Sequence, residues 1–124
     1  MVKQVCTTVA IACLFGCGGS GGSMGPIINN TPPPPGGISV ENNLFSPTSK
    51  AVTVGTTVQW AWNSCTDNGY NGQTCVSHNV VFDDGVTSGL QDQGTFSRTF
   101  AVAGTYNYHC AVHGAAMSGT ITVQ

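Results

Sequence analysis

From Ile38 to Gln124 the apolar residues of this chain do not recur every three or four positions, as a helix packed on a core requires. They fall instead in short β-rich or alternating runs: Ile38–Phe45, Ala51–Val54, Val58–Trp62, His78–Phe82, Thr95–Phe100, Thr105–Cys110 and Gly119–Val123. Turn-forming residues separate them, at Ser46-Pro47, Gly55, Asp67-Asn68-Gly69, Asp84-Gly85 and Ala103-Gly104. A chain punctuated this way has one good solution, an all-β antiparallel sandwich or barrel of six to eight short strands. With 124 residues there is room for one such domain, placed at residues 38–124, with a modest core.

Side chains two apart on a strand share a face. Trp60 and Trp62 therefore point the same way and are read as core. Tyr106, Tyr108 and Cys110 share one face of the next-to-last run, and His109 takes the other. Only eight residues are Lys, Arg, Asp or Glu, and the net charge is −2. No basic patch or stripe exists, which excludes a nucleic-acid binder.

The first 37 residues stand apart from the domain. One Lys precedes an apolar run from Val5 to Phe15, too short to span a bilayer and shaped like a signal peptide over residues 1–16. It ends in Leu14-Phe15-Gly16-Cys17, which resembles the lipobox of bacterial lipoproteins, though Phe15 is larger than usual there. The resemblance implies cleavage before Cys17 and a lipid on its sulfur. Cys13 is a second candidate, and an ordinary secretory signal is the plainer alternative. Residues 17–37 carry Gly/Ser repeats and the run Pro32 to Pro35, the composition of a flexible tether. The protein is thus expected outside the cytoplasm, held to a membrane by its N-terminus, with Gly18 leaning towards an outer membrane.

Export bears on the cysteines. Cys65 and Cys75 bracket the polar loop TDNGYNGQT, and an exported chain sits where disulfides persist. Pairing them closes a short loop three residues before His78 and leaves Cys110 as the one free thiol of the domain.

Cys110, His113 and Met117 fall within eight positions, on what reads as a loop between two strands, and His78 opens another strand. A thiolate, two imidazoles and a thioether form a soft to borderline donor set. One Cys, two His and a weak axial Met are the set for copper in a trigonal site with a long fourth bond. Such a set suits both Cu(I) and Cu(II) and leaves no open position for a substrate. It points to one-electron transfer rather than to an enzyme.

With His78-Asn79-Val80-Val81-Phe82-Asp83, Tyr108-His109-Cys110-x-x-His113, Met117 and the closing Gly119-Thr120-Ile121-Thr122-Val123, the chain resembles a cupredoxin of the plastocyanin type. The resemblance implies a Greek-key sandwich with one type 1 copper at one end, bound by His78, Cys110, His113 and Met117. It implies that the Asn79 side chain ties the two ligand-bearing segments together. Redox proteins would dock briefly at the His113 end, on a collar of Val112, Gly114, Ala115 and Ala116, with the carrier a monomer. Three residues separate His113 from Met117, where plant plastocyanins have four and amicyanins two, so the axial bond is open to change. The Cys65–Cys75 insert departs from the family pattern. Asp83 and Asp84 match only the beginning of an acidic docking patch. His109 replaces an aromatic residue that offers a second electron route, and reads more simply as an exposed histidine.

Three other readings compete. Copper storage or delivery uses the same ligands but predicts a labile ion. A structural zinc site would join Cys75-x-x-His78 to Cys110-x-x-His113, giving Met117 no role and requiring a reduced Cys75 after export. A catalytic Cys110–His113 pair lacks a third, orienting group.

Overall fold

The computed structural model describes residues 28–70 and 72–124. The expected signal peptide over residues 1–16 and the expected lipid site at Cys17 lie outside the described residues. Ten strands are present and, among the described residues, no helix: β1 (Ile38–Glu41), β2 (Leu44–Ser46), β3 (Ser49–Val52), β4 (Thr57–Trp62), β5 (Cys65–Asp67), β6 (Gln73–Cys75), β7 (Val81–Phe82), β8 (Thr95–Thr99), β9 (Gly104–Cys110) and β10 (Gly114–Val123). They form a four-stranded sheet in the order β2-β1-β4-β8, a second in the order β3-β10-β9-β7, and the separate hairpin β5-β6. Two pairings, β1 with β4 and β3 with β10, are parallel. The rest are antiparallel.

The all-β sandwich expected from the sequence is the observed fold, with more strands than the expected six to eight. Ile38–Phe45 is two strands rather than one. It folds back at Asn42-Asn43, and Asn43 takes a left-handed conformation (φ 67°) that asparagine tolerates. The polar run between Cys65 and Cys75 carries the hairpin β5-β6, which its lack of apolar alternation concealed. Asn68 builds its tip by accepting from the amides of Tyr70 and Gly72. Part of the segment read as tether also lies on the domain. Thr31 donates to the Trp62 carbonyl, and the Asn30 side chain both donates to and accepts from the backbone of Cys65.

The two sheets close on one core. Ile38, Val40, Phe45, Val58, Trp60, Phe82, Phe100, Tyr108, Ile121 and Val123 are buried in it. Trp60 stands edge-on to both Phe82 and Tyr108, at ring-centroid separations of 5.6 and 5.4 Å. These edge-to-face contacts are the favoured geometry for packed aromatics. Gly119 faces Tyr108 across the β9-β10 ladder, and any side chain at 119 would run into the phenol ring. The Arg98 guanidinium lies 4.2, 5.0 and 5.1 Å from the ring centroids of Phe82, Phe100 and Tyr106 and pairs with Asp84, which covers the side of the sandwich.

Candidate metal centre

The chain brings its candidate donors together from two places. His78 follows the hairpin β5-β6 and sits on a bridge to Gln91, giving its amide to the Gln91 carbonyl and accepting from the Gln91 amide at 2.9 and 3.0 Å. It is not the first residue of a regular strand, as its β-rich surroundings suggested, because pairing resumes only at Val81. Cys110 ends β9, and residues 111–113 turn back, with the His113 amide on the Cys110 carbonyl at 3.2 Å. Gly114 takes φ 60° at the exit of that turn, where an L side chain is strained. The loop expected to run as far as Met117 thus closes after three residues. Met117 lies instead in β10, where a register shift between Gly114 and Ser118 displaces the strand from its ladder.

His78 and Cys110 are completely buried, Met117 is buried, and His113 is half-buried. The Cys110 Sγ lies 3.8 Å from His78 Nδ1 and 3.7 Å from His113 Nδ1. The donor atoms of the three residues lie within 4.8 Å of one another. Bonds of about 2.0 Å to nitrogen and about 2.3 Å to sulfur put N and S about 3.7 Å apart in a trigonal site and about 3.5 Å apart in a tetrahedral one. The two observed spacings are those of nitrogen and sulfur atoms that share one ion. Burial, and secondarily the neighbouring His113, pushes the His78 ring below the usual histidine range, so its neutral, lone-pair form is favoured. A buried thiol faced by two imidazole nitrogens is a donor set that copper accepts.

The Asn79 Oδ1 accepts from the Ala111 amide at 2.7 Å, joining the segment after His78 to the turn after Cys110. Around half-buried His113, Val112, Ala115 and Ala116 are exposed and Gly114 is partly so. His109 is on the opposite face of β9, away from the cluster, paired in register with Val81 and Ser118. Cys65 and Cys75 are bonded to each other, and Cys110 is the free cysteine of the described residues. That bond removes Cys75 from the zinc arrangement considered above.

The profile of the copper binding proteins of the plastocyanin/azurin family matches residues 37–124. The chain belongs to that family. It is 38% identical over 95 residues to the plastocyanin of Scenedesmus fuscus, covering 65% of this chain and 87% of that one. To the chloroplastic plastocyanin of Hordeum vulgare it is 37% identical over 94 residues, 64% of this chain and 54% of the other. Among solved structures, an oxidised amicyanin variant superposes with a TM-score of 0.56 at 25% identity, over 71% of this chain and 80% of the other. A purple cupredoxin from Nitrosopumilus maritimus superposes with the same score at 24% identity, over 71% and 98%, and shares the fold.

Sequence reasoning missed Trp62, Ser64 and Gln91, which hold the His78 segment. Trp62 donates its indole N–H to the His78 carbonyl at 3.2 Å, and Ser64 donates its hydroxyl to the Val76 carbonyl at 2.7 Å. A buried indole needs an acceptor, and that requirement was the available signal for Trp62. Nothing in the sequence singled out Ser64 or Gln91.

Proposed function

We propose that this cupredoxin is a type 1 copper electron carrier that binds its ion through His78, Cys110, His113 and Met117. One observation carries the reading: two Nδ1 atoms from separate segments face one buried thiol at 3.7 and 3.8 Å. Copper held there supplies a single-electron change between its two common oxidation states. The polypeptide's part is to hold the donors still. His78 is pinned by its backbone bridge to Gln91, and Asn79 fastens its segment to Ala111. Rigid donors cost little reorganisation when charge changes. With four donors around one ion and no free position, the site is read as a carrier and not as an enzyme. Electrons would cross at His113, whose apolar surround suits brief contact with a redox protein.

The same proposal includes export behind a signal peptide over residues 1–16, a lipid on Cys17, a tether that meets the domain at Asn30 and Thr31, and a monomeric domain on a periplasmic or external membrane face. The Gly/Ser/Pro composition after Cys17 and the short apolar run before it support this reading.

Copper-loaded protein should contain one copper per chain, absorb strongly in the visible, and show a compressed copper hyperfine splitting. A colourless protein that selects zinc would overturn the assignment. Copper lost to a competing chelator within a few redox cycles would favour storage or delivery.

A further inference from the structure

Trp62 is the last residue of β4, Ser64 lies two residues beyond it, and both are completely buried. Each donates a side-chain hydrogen bond to a carbonyl of the segment that leads into His78. Trp62 Nε1 reaches the His78 carbonyl, and Ser64 Oγ reaches the Val76 carbonyl. The acceptors are also two apart, so the pair forms a short side-chain ladder in register with the ligand segment. Backbone bonding reinforces it, since the Val76 amide donates to the Ser64 carbonyl at 3.2 Å. The disulfide between Cys65 and Cys75 fixes that register at its outer end, one residue beyond Ser64 and one before Val76. Outside it, the Asn30 side chain pairs with both backbone groups of Cys65, at 3.0 and 3.2 Å. The chemistry requires none of these residues to touch the metal. Their bonds converge on the backbone of its most deeply buried histidine.

We propose that Trp62 and Ser64 are positioning residues for the metal centre, which set the placement of His78 through a ladder locked by the Cys65–Cys75 hairpin. The inference rests on His78 being a copper ligand. A ladder of this kind does something that general stability does not. It keeps His78 Nδ1 pointed at the Cys110 thiol before any metal arrives, so little ordering remains when the ion binds. Loosening it lets the ring retreat, which exposes the copper to competing ligands while the sandwich stays folded.

The test uses the full chain with Ser64→Ala, Trp62→Phe, the two combined, and Ile121→Val as a control that weakens the core on the far sheet. In metal-free protein, amide exchange is measured at Val76 and His78 against Tyr106 on β9. Losing one buried hydrogen bond should raise local opening about tenfold at Val76 and His78, with Tyr106 little changed. In copper-loaded protein, release to a chelator should quicken about tenfold for either single variant. The combined variant should add little more, because one ladder has already opened. Ile121→Val should lower the melting temperature without altering copper release or the hyperfine splitting. The inference is overturned if Val76 and His78 exchange no faster than Tyr106, or if the two single effects simply add. Failure of the function is a different result: His78→Ala would leave copper binding and its spectrum intact.

Discussion

At the level of single residues the site combines one rigid feature with one adaptable one. The thiol and two imidazole nitrogens are fixed by a tight turn and a backbone bridge, whereas Met117, the proposed fourth donor, lies buried in the displaced part of β10. A thioether is soft, yet as an extra axial donor on an ion already held by three ligands it gives more to the higher charge of the oxidised state than to the reduced one. Met117→Leu keeps the side-chain volume and should therefore raise the reduction potential on the order of 60 mV, the equivalent of tenfold in relative affinity for the two states. Voltammetry of the two proteins checks this, and copper content should stay at one per chain. Tyr108 offers a second residue-level test. Its hydroxyl is buried with no hydrogen bond of normal geometry. Burial pushes the phenol up to about 12, while the Trp60 indole N–H, a polar neighbour, draws it down slightly. Removing an unpaired buried polar atom costs little, so Tyr108→Phe should be neutral or slightly stabilising in thermal melts. The candidate copper donors stood out in the sequence because a lone thiol, imidazoles and a thioether at close spacing have few other uses. The residues that aim them were not. Ser64 is one serine among several, and only the fold reveals that its hydroxyl meets Val76.

At the level of elements, the period-two runs located most of the strands, because burial on one face leaves that pattern in the sequence. Where neither face is buried the pattern is absent, as in β5 and β6, and pairing there comes from the Cys65–Cys75 bond and the Asn68 turn. The β9-β10 ladder exacts its own requirement at Gly119. Alanine there should cost roughly 1–3 kcal/mol through overlap with Tyr108 and lower the melting temperature by at least about 5 °C. Arg98 joins β8 to the turn after β7 through Asp84, and its hydrogen bonds hold the Asp84 carboxyl below the usual carboxylate range. A carboxyl lowered on folding contributes stability above its unfolded pKa and loses it as pH falls through the folded value. Melting temperature should therefore fall as acid is added below about pH 4. Asp84→Asn should flatten part of that decline. The effect is small, because the pair is partly in water.

The charge of the whole molecule decides which partners it attracts. The described residues carry five carboxylates and two cations, and Arg98 already faces Asp84. Three of the carboxylates gather towards the end that bears His78. Glu41 ends β1 beside the end of β4, Asp67 is in the β5-β6 hairpin, and Asp92 follows Gln91, the bridge partner of His78. Arg98 pairs in register with Val58 near the far end of β4, and Lys50 pairs with Ile121, so neither cation offsets that group. A small reagent approaching His113 therefore meets a negative field, which raises the local concentration of cations and lowers that of anions. Stopped-flow oxidation of the reduced copper protein reads this directly, with one cationic and one anionic metal complex as oxidants. Raising ionic strength from about 0.01 M to about 0.1 M shortens the screening length from about 30 to about 10 Å. The cationic oxidant should then slow several-fold and the anionic one should speed up. Equal salt responses for the two would mean that electrons leave from a face remote from these carboxylates, and His113 would lose its assigned part as the exit.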